Sequence, residues 1–435
     1  MFTIHTVQPG DTVYSIAEKY NVPYTRIEED NNLPPNYNLN VGQAIMVVTP
    51  QQVYTVKEGD TLEGIASAFG VPIIQLLRNN PKLSDRDYLY VGEDLVISYD
   101  NKNKSIEIIG YATTYISDEV LRKTLPFLTY IAVLNYTFTA FGDIEKLNDE
   151  EIIKIAKSFH VEPIMFLSSI TVAGKGGYGI THSILLNEQY QEALISNALT
   201  IMKDKGYYGL NLSLYGILPD DLQAYTNFIA KATVRLHREG FKVFVTLAPY
   251  TFGFKAGVPY YNTYYSDIGK IADYIILITY TWATATLSQV LETTVDFLDK
   301  YISFASKQIP PEKIFIGLSR VAYNWELPYV EGESLNTSLT NAAALDLANE
   351  LGIEIQFDEA TQTPFFTYTD YGVDHFVWFK DTRTVNAILH LVDRYNLRGI
   401  AVWNILYFLS QTWLPINSQY NIKTISQNSG EGTQS

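Results

Sequence analysis

Aromatic and hydroxyl-bearing side chains are the groups best placed to bind a ligand, because they stand late in, or just after, the apolar segments of residues 105–417. These residues are Tyr111, Tyr136, Phe138, Tyr215, Tyr280, Trp282, Trp325 and Trp403. A flat apolar ring beside hydrogen-bonding groups suits a sugar, which has an apolar CH face and an equatorial belt of hydroxyls. Core packing would account for any single ring. Their shared position at one end of the segments predicts a carbohydrate-binding cleft.

The composition excludes several other kinds of chemistry. The chain of 435 residues has no cysteine and six scattered histidines, which excludes thiolate catalysis and Cys-ligated metal sites. Its formal charge of −16 opposes the phosphates of nucleic acids and anionic lipid headgroups. We therefore expect no metal, no cofactor, no nucleic acid and no membrane as a partner. The amino terminus lacks the basic and apolar regions of a secretory signal, so we also expect no export by a cleavable signal.

The elements that would position these rings are eight apolar β-type segments separated by long amphipathic stretches. They begin near Ile106, Tyr130, Glu162, Gly209, Lys242, Tyr274, Lys313 and Gly399. The alternation is typical of an α/β fold with a parallel sheet, and it predicts a (β/α)8 TIM barrel over residues 105–417. A longer gap between strands seven and eight alternates like antiparallel strands and predicts a small α+β insertion. We predict a polar tail over residues 418–435.

Two copies of one sequence pattern precede the barrel. HTVQPGDTVYSIAEKY, from His5, is echoed by YTVKEGDTLEGIASAF, from Tyr54, and each copy closes on a β-type run after Val-Gly. The pattern predicts strand, helix, helix and strand in residues 1–49 and again in residues 52–99. Both copies resemble LysM domains.

The resemblance to LysM domains implies binding of N-acetylglucosamine-containing glycans in a shallow groove between two loops. It places three side chains of each copy at that groove, namely Asp11, Thr12 and Asn31, and Asp60, Thr61 and Asn80. The Asp-Thr pairs also stand where a helix needs an N-cap, so capping accounts for part of their importance. We expect the backbone amides of the loops to contribute to binding as much as these side chains.

The barrel segments KGYYGLNLSLYGILPDDLQAY, ITYTWATA and LRGIAVW carry a second resemblance. With the order of two LysM copies followed by a barrel, they are similar to family-18 glycoside hydrolases, in particular to LysM-bearing N-acetylglucosaminidases that degrade spore cortex peptidoglycan. The resemblance implies peptidoglycan or chitin-like chains as the ligand. It also implies a location on the spore coat or cortex surface, for a protein made in the mother cell without a cleavable signal peptide.

The fourth barrel strand departs from the acidic pattern of that family. Active members carry a pattern resembling D-x-x-D-x-D-x-E, in which the Glu protonates the leaving oxygen and the preceding Asp orients the N-acetyl group of the substrate. Here the degenerate positions hold Asn211, Ser213 and Tyr215. A phenol with a pKa of about 10 is a poor acid at neutral pH, and a serine supplies no negative charge. Tyr280 and Trp403, in contrast, match residues of the family's sugar site.

The sequence therefore predicts a catalytically inactive relative that binds glycan with its LysM pair and its barrel cleft. The residues assigned to the cleft are Tyr111, Tyr136, Tyr215, Tyr280, Trp282 and Trp403. One alternative is a structural spore-coat or surface protein whose barrel contacts other proteins, coat proteins among them. Another is an active N-acetylglucosaminidase with a non-standard acid. Asp220 and Asp221 are candidates for that acid, although their position at a helix start favours capping.

Overall fold

The two amino-terminal copies each fold as a separate two-stranded unit in the computed structural model. The structure describes residues 2–34, 37–86, 88–99, 102, 104–171, 177–247, 262–279, 294–330 and 336–425. The first copy comprises β1 (Phe2–Thr6), α1 (Val13–Tyr20), α2 (Tyr24–Asp30) and β2 (Ala44–Val48). The second comprises β3 (Gln52–Thr55), α3 (Leu62–Phe69), α4 (Ile73–Asn79) and β4 (Asp94–Ser98). In each copy the two strands pair antiparallel, which confirms the predicted order of elements.

A closed barrel of parallel strands follows. Its first seven strands are β5 (Lys104–Thr113), β6 (Tyr130–Thr137), β7 (Glu162–Ser168), β8 (Gly209–Ser213), β9 (Lys242–Leu247), β10 (Tyr274–Leu277) and β11 (Ile314–Ser319). The helices between them are α5 (Asp118–Thr124), α6 (Glu150–Ser158), α7 (Tyr178–Leu186), α8 (Glu188–Lys205), α9 (Leu222–Arg238), α10 (Asn262–Ile271) and α11 (Val295–Ala305). None of the helices in the described ranges has both the length and the hydropathy that a membrane span requires.

An antiparallel sheet and one helix interrupt the barrel after β11. The sheet contains β12 (Val321–Leu327), β13 (Asn336–Thr340), β14 (Gln356–Asp358), β15 (Thr363–Asp370) and β16 (Val373–Trp378), in the spatial order β13-β12-β16-β15-β14. Helix α12 (Asn341–Leu351) covers one face of the sheet, with Ala344 and Ala348 packed against Phe366 and Val377. This is the predicted insertion between the seventh and eighth strands.

The last part of the chain closes the barrel. Helix α13 (Thr382–Arg394) leads to β17 (Gly399–Trp403), which pairs in parallel with both β11 and β5. The predicted TIM barrel is thereby confirmed. After α14 (Ser410–Gln419), strand β18 (Tyr420–Ile422) adds to the beginning of β5. The tail boundary predicted at residue 418 is therefore too early, because Tyr420 and Ile422 alternate with a polar residue and are both buried.

Two apolar layers hold the barrel together, and they decide which strand residues can face a ligand. Alternate residues of each strand point to opposite faces of the sheet. The inner layer fills the barrel with residues such as Tyr111, Tyr130, Phe166 and Phe244. The outer layer packs the strands against the helices and takes the intervening residues, for example Leu210, Leu212 and Leu214 of β8 and the residues after it. Asn211, Ser213 and Tyr215 therefore lie on the inward register of the fourth barrel strand.

The LysM units are fastened to the barrel and its insertion by hydrogen bonds. The Ser410 amide donates to Asn32 Oδ1 at 2.6 Å, and Arg383 Nη2 donates to the Gly42 carbonyl at 3.1 Å. In the second copy, Asn417 Nδ2 donates to Asn79 Oδ1 at 3.0 Å. Leu414 of α14 also packs against Met46 and Val48 of the first copy. The two amino-terminal units are thus held against the barrel and its insertion by direct contacts as well as by the chain that joins them.

Candidate glycan-binding site

Tyr111 and Trp403 meet at the carboxyl ends of two neighbouring strands. They are directly opposite each other in the pairing of β5 with β17, and their ring centroids lie 5.5 Å apart. Trp403 is partly exposed, whereas Tyr111 is buried against Phe166 at 5.6 Å. Burial, and then the neighbouring Tyr215, raise the pKa of Tyr111 far above its usual value. Tyr111 therefore stays a neutral phenol beside an accessible indole ring.

Strand β8 carries the residues that replace the family's acids. Asn211 is fully buried and shares a hydrogen bond with the Thr246 hydroxyl of β9 at 3.0 Å. Ser213 is also buried and lies beside Ser168 in the pairing of β7 with β8. The Tyr215 amide donates to Ser169 Oγ at 2.8 Å, and its carbonyl accepts from Thr181 Oγ1 at 2.7 Å. These contacts fix the backbone of Tyr215 at the end of the inward register.

Neutral side chains end all eight barrel strands. The terminal residues are Thr113, Thr137, Ser168, Ser213, Leu247, Leu277, Ser319 and Trp403. Asp221, which the sequence offers as an alternative acid, accepts from the Leu218 amide and bonds His182 Nδ1 at 2.9 Å. Its carboxylate is buried and secures the loop after β8 to α7, while Asp220 is exposed. The observed contacts of Asp221 fit the capping role.

Glu145 is a carboxylate on the rim of the barrel that sequence reasoning does not single out. It is exposed, and its side chain accepts a hydrogen bond from the Thr137 hydroxyl at the end of β6. The bridge between Phe138 and Ile144 folds this loop back on β6. No motif in the sequence marks Glu145, because its position at the rim depends on this turn.

The structure does not place Tyr136 with the other predicted cleft residues. A register irregularity between Val133 and Tyr136 in β6 turns its side chain into the outer layer, where it is 1% exposed. Its hydroxyl donates to Asp149 Oδ2 at 2.9 Å. We therefore remove Tyr136 from the cleft. Phe138 also packs in the outer layer.

Of the three further predicted aromatic residues, Trp325 lies outside the cleft and the other two are not among the described residues. Trp325 belongs to β12 of the insertion, where it lines an open apolar pocket of about 410 Å³ with Phe376 and Trp378. Tyr280 and Trp282 lie outside the described residues. Within the described part of the chain, the cleft residues brought together are thus Tyr111, Tyr215 and Trp403 around Asn211 and Thr246.

The predicted LysM asparagines are internal braces rather than groove residues. Asn31 is 4% exposed, and its amide accepts from the Met46 backbone amide at 2.7 Å and donates to the Met46 carbonyl at 2.8 Å. Asn80 is 2% exposed and makes the same pair of bonds to Val96, both at 2.8 Å. Because these side-chain amides are hydrogen-bonded to buried backbone groups, neither asparagine is available to a glycan.

The Asp-Thr pairs shape the loop that precedes the first helix of each copy. Asp11 accepts from the Gln8 amide at 2.7 Å and from His5, and these contacts lower the pKa of its carboxyl. Asp60 accepts in the same way from the Lys57 amide and from the Tyr54 hydroxyl, and its pKa is lowered too. Thr12 and Thr61 cap α1 and α3 through their hydroxyls. The capping contribution anticipated from the sequence is observed in both copies.

An aromatic pair in the second LysM copy was missed by sequence reasoning. Tyr88 and Tyr90 stand in the loop between α4 and β4, each 57% exposed, with ring centroids 5.2 Å apart. The Arg86 guanidinium lies 4.9 Å from the Tyr90 centroid and 5.7 Å from that of Tyr88. The alternation of two tyrosines immediately before Val-Gly is the signal that could have found them.

A TIM barrel whose strand ends present aromatic rings, preceded by two LysM-type units, defines a class of protein built on a glycosidase fold. The profile of glycosyl hydrolases family 18 matches residues 107–407, and that of the LysM domain matches residues 5–47 and 54–98. The chain belongs to glycosyl hydrolases family 18 and carries two LysM domains.

Several known proteins are similar to this chain over nearly its whole length. It is 30% identical over 430 residues to the cortical fragment-lytic enzyme of Bacillus anthracis, covering 97% of this chain and 99% of that protein. It is 28% identical over 423 residues to the putative sporulation-specific glycosylase YdhD of Bacillus subtilis, covering 94% and 97%. The crystal structure of the Bacillus cereus spore cortex-lytic enzyme SleL matches with a TM-score of 0.77 at 28% identity, covering 97% and 99%. The predicted similarity to spore cortex-lytic enzymes is confirmed.

Proposed function

We propose that this family-18 member binds N-acetylglucosamine-containing peptidoglycan chains and does not cleave them by the family's acid-assisted route. The observation that carries the proposal is the neutral set Asn211, Ser213 and Tyr215 on the inward register of the fourth strand. Loss of a general acid alone costs about 10²–10⁴ in rate, or roughly 3–5 kcal/mol in the barrier. The partly exposed ring of Trp403, which lies against Tyr111, is suited to a sugar face, so the cleft retains a binding group without the acid.

We assign the wall-binding surface mainly to the second LysM domain. The loop between α2 and β2 of the first domain is covered, because its Val41 and Asn38 carbonyls accept from the Ile355 amide at 2.9 Å and the Asn349 side chain at 2.6 Å. A Cβ on Gly42 in this loop would lie 1.8 Å from the Ile355 carbonyl oxygen. The corresponding Gly92 has open space around it, beside the exposed Tyr88 and Tyr90.

The relatives support a spore setting for this activity. Their names refer to cortex lysis and to sporulation, and we extend that setting to this chain. Deposition on the spore surface from the mother cell would bring spore-coat proteins next to it as further partners. Immunolocalisation on sectioned spores tests the location, and cross-linking on intact spores tests the coat contacts.

The decisive experiment measures binding and cleavage on the same ligands. Full-length protein is titrated calorimetrically with cortex peptidoglycan fragments and with N-acetylglucosamine oligomers, and the same mixtures are analysed for new reducing ends. We expect saturable binding and no new reducing ends. Hydrolysis that disappears on Trp403→Ala would contradict the proposal, and absence of binding to every glycan would favour the structural alternative.

Glu145 supports one narrower alternative, an active hydrolase whose acid is displaced to another strand end. The carboxylate is exposed on the rim and lies two strands from β8. If cleavage is found, Glu145→Gln is compared with Asp220→Asn and Asp221→Asn. Loss of cleavage in the Glu145 variant alone would identify the displaced acid.

A further inference from the structure

A pocket lined by both polar and apolar residues lies between the second LysM domain and β18, the strand added to the beginning of β5. Its volume is about 380 Å³, and residues of α4 and β18 line it. Gln75, Arg78 and Asn79 line it from the LysM side, and Lys102 and Asn421 from the other. Asn421 pairs with Ser105 at the beginning of β5, whereas the barrel cleft lies at the carboxyl ends of the strands.

The two cations of this pocket have no carboxylate partner among the described residues. Arg78 is 4% exposed; its Nε donates to the Pro126 carbonyl and its Nη1 lies 3.5 Å from Gln75 Oε1, while Nη2 has no hydrogen-bond partner in that part of the chain. Lys102 Nζ donates to Asn417 Oδ1 at 3.1 Å, its one hydrogen-bond partner among the described residues. The contrast with nearby cations is clear, because Lys123 pairs with Asp85 at 3.0 Å and Arg26 with Asp30 at 2.9 Å.

Burying a cation without a counter-charge is unfavourable, and this cost lowers the pKa of both groups. Burial lowers the pKa of Arg78 to about 10. Burial, and then the charge of Arg78, lower the pKa of Lys102 to about 8. An anion in the pocket would relieve both effects, since it would pair with the guanidinium and the ammonium at once.

We propose that this pocket binds a carboxylate of the peptide stems of peptidoglycan, a ligand group that chitin-type oligomers lack. The inference rests on the proposed function and narrows its substrate class. A guanidinium presents donors in the fork that a carboxylate accepts, and Nη2 of Arg78 has no hydrogen-bond partner in the described part of the chain. A chain of net charge −16 repels anionic polymers in general, so a local unpaired cation pair is where such a polymer would be accepted.

The test compares one glycan with charged and with neutral peptide stems. Soluble peptidoglycan fragments are used as isolated and after conversion of their carboxylates to methylamides, with the N-acetylglucosamine tetramer as the ligand without stems. We expect wild type to bind the free-carboxylate fragment about tenfold more tightly than the amidated one. Lys102→Gln should lose that difference. Lys104→Gln should keep it, because Lys104 is exposed and pairs with Asp393.

Each other outcome has a distinct meaning. Equal affinity of wild type for the charged and amidated fragments would overturn this inference while leaving glycan binding intact. Failure of wild type to bind the tetramer and both fragments would overturn the proposed function itself. A third outcome is that sodium acetate raises the melting temperature of wild type but not of Lys102→Gln, while wild type binds the charged and amidated fragments equally. The pocket would then bind small free carboxylates, and the assignment to peptide stems would be wrong.

Discussion

Tyr215 stands at a backbone position that could carry an acid without rearrangement. Its amide and carbonyl are held by Ser169 and Thr181, and Ser213 shares its inward register two residues earlier. We predict that Ser213→Asp combined with Tyr215→Glu gains N-acetylglucosaminidase activity of at least about 10² over wild type. Assay of released reducing sugar measures it. Ser213→Asn with Tyr215→Gln is the uncharged control, and a folded, glycan-binding double variant with no gain would show that other parts of the site have also been lost.

Asn80 and Asn31 act at the residue scale as paired braces. Each satisfies both backbone groups of one strand residue and a helix carbonyl, that of Leu76 or Ile27. Replacing Asn80 by Ala leaves buried backbone groups without partners, so we predict a loss of about 2–4 kcal/mol in the free energy of unfolding. Urea unfolding measures the loss. The exposed Gln223→Ala should change it by less than about 0.5 kcal/mol. A comparably small effect at Asn80 would contradict the bracing role.

At the scale of elements, the loop before the last strand is covered by Ile355 and Asn349 in the first LysM copy, whereas in the second copy it exposes Tyr88 and Tyr90. We predict that Tyr88→Ala with Tyr90→Ala weakens glycan binding about tenfold, since each stacked ring contributes roughly 0.5–1.5 kcal/mol. The matched control is Tyr14→Ala with Tyr24→Ala, because these rings are also an exposed pair, 4.7 Å apart, but lie on the helices of the first copy. Calorimetric titration with N-acetylglucosamine oligomers measures the affinity of both double variants. Weaker binding in the control alone would move the glycan surface to the first domain.

The junction between the insertion sheet and α13 holds a buried lysine. Burial lowers the pKa of Lys380 to about 7, below the 10.5 of an unfolded lysine. Between pH 7 and 10.5 the unfolded chain holds a proton that the folded protein has lost, so this residue makes stability rise with pH across that window. We predict that Lys380→Met raises the free energy of unfolding at pH 7 by roughly 1–3 kcal/mol and flattens this rise. Denaturant unfolding at pH 7 and pH 9 checks it, and Lys300→Met, at an exposed ion pair, should change neither value.

The elements were predictable from sequence to the extent that their pattern is local. Strand alternation, the repeat and the long gap after the seventh strand are all periodic signals, and the corresponding barrel, LysM pair and insertion are present. The direction of a side chain after a strand irregularity does not follow from the local pattern, so the sequence predicts Tyr136 in the cleft although its side chain faces the helices. The bracing role of Asn31 and Asn80 depends on strands 15 or 16 residues away and was equally hidden.

At the scale of the whole molecule, the charge distribution should make the salt dependence of binding differ between neutral and anionic ligands. Stacking and neutral hydrogen bonds should dominate the binding of N-acetylglucosamine oligomers, so we predict that their affinity changes less than about twofold between 50 and 500 mM salt. Fragments with free carboxylates should lose affinity over the same range if they use Arg78 and Lys102. Calorimetry at both salt concentrations measures the two responses. A steep salt dependence for the neutral oligomers would contradict the account of their recognition.

The docking of both LysM domains on the barrel gives the protein a fixed reach. Among the described residues, contacts from Asn32, Gly42 and Asn79 to the barrel and insertion hold both LysM domains in place relative to the proposed cleft. A flexible linker would let a second site search a range of distances along a glycan strand. If the loop of the second LysM domain and the barrel cleft both bind glycan as proposed, the distance between them is fixed, so a strand long enough to span it would engage both surfaces and a shorter strand only one. The affinity of the protein for a glycan would then depend on the length of the glycan strand.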